Sequence, residues 1–198
     1  EAWLAENDLA AFQAFEEATD ERDDVFVCTH GSRDQCCGKF GYPIYEAIKN
    51  NYADHVRVWR CSHIGSHRLA PTLIIMPEAR YWGHVSEDIL DTLILRRGDV
   101  KTLRNYYRGW GGVNQWAQAA ERELFIEKGW DWLTYDVEAA VVKEEGMTAT
   151  VQMVAIKNGT TETYEADIDA SKTVRAEGCT LEPKEIQHFE VTRLEKVN

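Results

Sequence analysis

Cysteine and histidine, the residues that most often bind transition metals, are concentrated in one short part of this sequence. Four of the five cysteines and four of the six histidines lie between residues 28 and 67. They are Cys28, Cys36, Cys37 and Cys61 with His30, His55, His63 and His67. Thiolates and imidazoles bind zinc and iron–sulfur clusters, so this span predicts a metal centre.

Spacing within the span suggests one set of four ligands. His63 and His67 are four residues apart, which would put them on one face of a helix or let them converge in a glycine-containing loop. Cys28 and Cys37 bracket an eight-residue loop in which Gly31 allows the chain to turn back. Two thiolates and two imidazoles suit tetrahedral zinc or an iron–sulfur cluster.

A second set of ligands has comparable support from spacing. Cys28-Thr-His30 and Cys61-Ser-His63 each offer one thiolate and one imidazole, in an arrangement like that of a Rieske cluster. Spacing also does not separate Cys36 from the adjacent cysteine at position 37. The choice of ligands therefore stays open at this point.

The elements around the span predict how its two halves meet. Residues 25–27 are short and apolar and indicate a buried strand that ends at Cys28. A ligand loop over 28–41 follows, and Pro43 suits the first turn of a helix running to about Tyr52. Residues 55–60 indicate a second strand, parallel to the first, that ends at Cys61. Both ligand groups would thus lie at one edge of a sheet.

Downstream patterns predict the rest of the fold. Strands over 73–76 and 80–85 form a hairpin, a helix covers 86–97, a Gly-rich aromatic loop covers 99–112, and a second helix covers 113–128. A further helix is expected near residues 7–20. The order strand–helix–strand–strand–strand–helix is that of an α/β, thioredoxin-like fold. From Val137 the pattern alternates, with strands expected over 137–143, 148–156, 161–168 and 189–194. We expect a thioredoxin-like domain over 1–136 and a small antiparallel β segment over 137–198 packed on it.

Two motifs carry a resemblance to a known family. Cys28-x-His30-x-x-Arg33-Asp34-x-x-Cys37-Gly38, followed by Cys61-Ser-His63-x-Gly65-x-His67, resembles the sucrase/ferredoxin-like family. Tyr107-Arg108-Gly109 and Gln118-Ala-Ala-Glu121 extend the resemblance over roughly residues 25–125. These are thioredoxin-like ferredoxins with a bis-histidinyl [2Fe–2S] cluster that is not of the Rieske type.

The resemblance implies a specific set of ligands. Cys28 and Cys37 would bind one iron, and His63 and His67 the other. The motif ends in Asp-x-x-Cys-Gly, which favours Cys37 over Cys36. No residue after about 136 contributes to the resemblance.

Electron transfer is the function that follows from such a site. A [2Fe–2S]²⁺ core with two thiolates and two neutral imidazoles is neutral, so it should be reduced more easily than an all-cysteine cluster. The second nitrogen of each imidazole could exchange a proton as the cluster changes redox state. We expect an electron carrier rather than an enzyme, with a redox partner protein of unknown identity.

Two other functions use the same residues. A zinc-binding protein with the ligands Cys28, Cys37, His63 and His67 is the main alternative. A thiol redox enzyme is disfavoured because the vicinal pair Cys36–Cys37 is not a Cys-x-x-Cys motif.

Composition limits the classes of function and the cellular compartments that are expected for this chain. The net charge is −12, from 34 acidic and 22 basic residues, which argues against nucleic-acid binding. No run of about 18 apolar residues is present, so no transmembrane helix is expected. Cysteines clustered with histidines are typical of the cytoplasm or another reducing compartment rather than of a secreted disulfide scaffold. The first residue is Glu1, which leaves room for a targeting segment removed earlier. Pairing of two chains as a homodimer stays open.

Overall fold

The computed structural model describes residues 22–65, 67–177 and 182–198. Of His67 the backbone alone is described. The helix expected near residues 7–20 lies outside these ranges, and so does Cys179.

A five-stranded mixed sheet forms the first part of the molecule. Its strands are β1 (Asp23–Cys28), β2 (Val56–Cys61), β3 (Thr72–Met76), β4 (Arg80–Gly83) and β5 (Tyr107–Trp110). They lie in the order β2-β1-β3-β4-β5, in which β1 and β2 are parallel and all other pairs are antiparallel. Helix α1 (Gln35–Asn51) connects β1 to β2. A parallel β-α-β unit followed by an antiparallel hairpin confirms the predicted thioredoxin-like fold.

Helix α1 begins earlier than the sequence predicted. The expectation was a ligand loop over 28–41 and Pro43 in the first turn, but the helix starts at Gln35. The carboxylate of Asp34 accepts a hydrogen bond from the backbone N–H of Cys36 at 2.9 Å and so caps the helix. Pro43 therefore lies inside the helix, on its exposed side. There, water can satisfy the carbonyl that would have bonded to its missing N–H.

The segment expected to be an aromatic loop over 99–112 contains strand β5. Tyr107 of this strand is fully buried, so the aromatic residue packs in the core. The helix predicted over 86–97 is a 3₁₀ turn, Glu87–Ile89, followed by the short helix α2 (Leu90–Ile94). Helix α3 (Gln115–Lys128) lies where a helix was predicted, with Asn114 as its cap and Gly129 at its end.

A four-stranded antiparallel sheet follows. Its strands are β6 (Asp136–Glu145), β7 (Thr148–Lys157), β8 (Thr160–Asp169) and β11 (Glu190–Lys196). Their order is β11-β8-β7-β6, and all four were predicted. The β7–β8 turn has positive φ at Asn158 (51°) and Gly159 (76°), as a two-residue hairpin turn requires. Strands β9 (Thr173–Ala176) and β10 (Lys184–Gln187), which form a separate hairpin, were not predicted.

One continuous core joins the two sheets. Leu124 and Phe125 of α3 belong to the same buried cluster as Met153 of β7 and Tyr164 of β8. The proposed division at residue 136 stays a prediction. Within the described ranges, no helix has the length and apolar character needed to cross a bilayer.

Candidate metal centre

Three of the four predicted ligands come together in the structure. The ligand atoms of Cys28, Cys37 and His63 all lie within 4.8 Å of one another. Cys37 Sγ is 3.7 Å from Nδ1 of His63. Both cysteines are buried and the histidine is half-buried, so the thiols lie on the inner side of the group. Such a group can hold a metal ion.

The parallel pairing of β1 and β2 places the two halves of the sequence motif side by side at the same edge of the sheet. Cys28 and Cys61 are the last register pair of the two strands. Beyond it, the N–H of Thr29 donates to the carbonyl of Cys61 at 3.3 Å. Because the segments that follow β1 and β2 leave the sheet at this point, His63 lies beside Cys28. This is the shared sheet edge that the sequence predicted.

Cys37 lies in the first turn of α1, which positions its side chain at the site. The N–H of Cys37 donates to the carbonyl of Asp34 at 3.1 Å, within the first turn of the helix. The helix packs closely on the end of β1 at Gly41, where an added Cβ would lie 2.1 Å from the carbonyl oxygen of Cys28. Any side chain at this position would push the helix away from the strand. Gly41 is thus a positioning residue that the sequence analysis did not single out.

His30 has a supporting place in the structure. Its Nδ1 accepts a hydrogen bond from the backbone N–H of His63 at 3.3 Å, which steadies the segment that carries the ligand. His30 does not belong to the group of three, and neither does Cys61. The Rieske-like set is therefore not the one that converges among the described side chains. Cys36 is also outside the group, although it is buried like its neighbour Cys37.

The fourth predicted ligand, His67, lies in a short 3₁₀ turn, His67–Leu69. Its side chain is outside the described part of the structure. Ile64 and Gly65, which follow His63, are not helical, and Gly65 has φ of 90°, a conformation that favours glycine. The loop alternative, rather than a shared helix face, is the one that applies here. The ligand set as a whole stays a prediction.

Burial makes ionisation of these thiols unfavourable unless a cation is present. Burial, followed by the hydrogen bond with Cys28, raises the pKa of Cys37 to about 12. Burial and the nearby Cys28 also raise the pKa of Cys61 to about 11. A nearby helix N-terminus favours a thiolate, but here desolvation outweighs that effect. A bound metal would reverse this balance, because a coordinating thiol is deprotonated.

The arginines near the site have specific partners. Arg57 forms a two-point ion pair with Asp24, each bond 2.8 Å long, so its charge is offset. Arg68 donates to the backbone carbonyls of Ala176 and Glu182, both at 2.8 Å. Carbonyl acceptors leave the charge of Arg68 in place, and Arg60 lies 5.4 Å from the ring centroid of Tyr42, so within the described structure only Arg57 of these three arginines has its charge offset by an acid.

The sequence of this chain is similar to those of known proteins. The model of the sucrase/ferredoxin-like family matches residues 4–109, more than half of the chain. A protein of the yeast Meyerozyma guilliermondii, Altered inheritance of mitochondria protein 32, is 33% identical over 108 residues. This match covers 48% of the present chain but only 36% of the yeast protein.

Solved structures with a related architecture are more distant. A thioredoxin-like [2Fe–2S] ferredoxin from Aquifex aeolicus is 14% identical, with a TM-score of 0.38, over 46% of this chain and 94% of its own. A second structure, of the wild-type ferredoxin at 1.5 Å resolution, has a TM-score of 0.34 and 14% identity over 39% and 86%. The match of the family model over more than half the sequence identifies the chain as a member of the sucrase/ferredoxin-like family.

Proposed function

We propose that the protein transfers electrons through a [2Fe–2S] cluster held by Cys28, Cys37, His63 and His67. The observation that carries the proposal is the convergence of two buried thiols and a half-buried imidazole where two parallel strands end. Membership of a family described as ferredoxin-like supports the same conclusion.

The charge of such a complex suits its surroundings. Two thiolates offset the charge of an oxidised [2Fe–2S]²⁺ core, and neutral imidazoles add none, so the loaded site is neutral overall. A neutral complex avoids the large cost of burying net charge at Cys28 and Cys37, both of which have no exposed surface. When bound, the cluster supplies the one-electron chemistry, and the protein sets its potential and access.

The more exposed side of the site carries the histidine. His63 is half-buried while Cys28 and Cys37 are buried, so among the described ligands it is the most exposed, and electrons would enter or leave there. A redox partner protein is therefore proposed to approach the His63 side. Among the described residues, Cys28, Cys37 and Cys61 are free thiols, whereas Cys36 is disulfide-bonded, so Cys36 is not available as a ligand in place of Cys37.

Proton transfer would accompany electron transfer at His63. Nδ1 of His63 faces Cys37 Sγ at 3.7 Å and is the ring nitrogen on the ligand side, and an imidazole ligand has a second nitrogen that can exchange a proton. A reduced cluster is more negative and holds that proton more tightly, so the reduction potential should fall as pH rises, by up to about 59 mV per pH unit. Potentiometric titrations between mildly acid and alkaline pH measure this slope. A flat potential would contradict the coupling of electrons to protons.

One observation favours a zinc site as the second candidate. Tetrahedral zinc with ordinary Zn–S and Zn–N bonds holds its sulfur and nitrogen ligands about 3.5 Å apart. The 3.7 Å between Cys37 Sγ and His63 Nδ1 is close to this spacing. In a cluster these two ligands would bind different irons and stand further apart.

Metal analysis of the purified protein separates the candidates. We would purify it without oxygen, measure iron, sulfide and zinc, and record its visible spectrum. About two irons and two sulfides per chain in a red-brown protein would support the cluster. A colourless protein with about one zinc per chain would overturn electron transfer and support the zinc site.

A further inference from the structure

A wide groove lies between helix α3, the segment 101–108 and strand β11. Its volume is about 760 Å³, within the range of small-molecule sites. It shares no residue with the group formed by Cys28, Cys37 and His63. One part of its lining is apolar, formed by Ile126, Val191 and Leu194.

The other part of the groove has an excess of positive charge. Its cations are Lys101, Arg104, Arg108, Arg122 and Arg193, and its acids are Glu123, Glu127 and Glu190. Arg193 is paired with Asp167 at 2.7 Å, and Glu190 with Lys172 at 2.5 Å, both partners outside the groove. When these two are set aside, four cations face two carboxylates, an excess of two positive charges in a chain whose net charge is −12.

The carboxylate of Glu123 is shared between two guanidinium groups. Its Oε1 is 2.7 Å from Arg104 and 3.3 Å from Arg122. No ion pair is formed by Arg108 or Lys101 within the described residues. The local charge is therefore not neutralised by the protein itself.

Arg108 is the least satisfied of these cations. Of the five N–H groups of its guanidinium, only one donates within the described structure, to the carbonyl of Asn105 at 2.9 Å. Its Nε is buried without a partner. Burial, and then the positive charge of Arg122, lower the pKa of Arg108, so the two guanidinium groups repel one another. An anion placed between them would offset this repulsion.

We propose that this groove binds an organic phosphate monoester. The phosphate, with close to two negative charges near neutral pH, would match the excess charge around Arg104, Arg108 and Arg122. The organic part would contact Ile126 and Leu194, which also line the groove. The proposal does not depend on which metal occupies the other site.

Calorimetric titration with phenyl phosphate tests the proposal on the metal-loaded, full-length chain. Inorganic phosphate serves as the second probe, at constant ionic strength so that screening does not vary. We expect saturable binding of phenyl phosphate that is tighter than that of inorganic phosphate. Arg104→Gln should weaken binding by about ten- to a hundredfold, the range for losing a charged hydrogen bond. Arg108→Gln should do the same, with folding checked by circular dichroism.

Arg175→Gln is the matched control, because Arg175 lies on β9 outside the groove and pairs with Glu177. Binding should be unchanged in this variant. The exposed side chain of Arg104 makes Arg104→Gln safe for folding even if Arg108→Gln fails to fold. Absence of saturable binding, or equal binding in wild type and Arg104→Gln, would overturn the site. Equal affinity for the two probes would overturn the assignment to an ester.

Discussion

Cys37 and Cys61 are both free thiols close to Cys28, yet only Cys37 belongs to the group that surrounds the candidate metal position. Cys37→Ser should therefore lower metal affinity by at least about tenfold, since even residues that merely orient a ligand have effects of that size. Cys61→Ser removes a neighbouring, partly exposed thiol, and this variant should keep its metal. Metal content per chain after passage over a weak chelator measures the difference. Equal loss in both variants would contradict the assignment of Cys37.

At the scale of single residues, the sequence indicated which residues form the candidate site, but it did not indicate how they contact one another. Spacing and the family resemblance together put Cys28, Cys37 and His63 among the candidate ligands, and the structure brings these three side chains together because β1 and β2 end at the same register pair. Spacing did not reveal the role of His30, whose ring accepts from the backbone of His63. That contact depends on two loops meeting in space, and no local pattern in either loop predicts it.

The close approach of α1 to the end of β1 is a property of the two elements together. Gly41→Ala would place a methyl group 2.1 Å from the carbonyl oxygen of Cys28, so the helix or the strand must move. In an open helix the same change would stabilise by about 1 kcal/mol. Here overpacking should lower the free energy of unfolding by about 1–3 kcal/mol and draw Cys37 away from Cys28. Urea unfolding and metal content measure the two effects.

Lys39→Ala is the matched control for this change, because Lys39 is exposed on the same helix. Its free energy of unfolding should stay within about 0.5 kcal/mol of wild type, with full metal content. A stabilised Gly41→Ala variant with unchanged metal content would show that the helix does not need this close contact.

A buried charged network ties helix α3 to the five-stranded sheet. Glu121 is fully buried and accepts hydrogen bonds from Tyr107 Oη at 2.8 Å and Trp132 Nε1 at 2.9 Å, and it forms an ion pair with Arg80. Glu121→Ala leaves Arg80 buried without its counter-charge, so the free energy of unfolding should fall by about 3–5 kcal/mol. Urea unfolding measures this change in the free energy of unfolding.

Glu127→Ala on the same helix provides the comparison, because Glu127 is exposed and forms no ion pair within the described residues. The free energy of unfolding of this variant should lie within about 0.5 kcal/mol of the wild-type value. If both substitutions cost the same, the network would contribute nothing beyond helix content.

At the scale of elements, regular patterns were predicted well and irregular ones were not. The strands β6, β7 and β8 alternate apolar and polar residues and are joined by turns at Gly146 and Gly159, so their positions followed from local sequence. Strand β5 was missed because its glycine and aromatic residues are typical of a loop. It becomes a strand by pairing with β4, a long-range contact that outweighs local preference.

For the whole molecule, the question is whether the two sheets form one cooperative unit. Helix α3 contributes Leu124 and Phe125 to a core that also contains Met153 and Tyr164 of the second sheet. The side chain of Met153 is only 1% exposed. A defect in the second sheet should therefore reach the metal site through the shared core, even though the ligands lie in the first sheet.

Met153→Ala tests this directly. Loss of a buried methionine should lower the free energy of unfolding by about 2–5 kcal/mol. If the core is shared, the urea midpoints of far-UV circular dichroism and of the metal-site absorption should fall together. Val142→Ala is the control, because Val142 is 53% exposed on the neighbouring strand β6 and should change neither midpoint. A Met153→Ala variant that loses ellipticity early, while its metal-site absorption persists to the wild-type midpoint, would instead mean that the segment after residue 136 unfolds as a domain of its own.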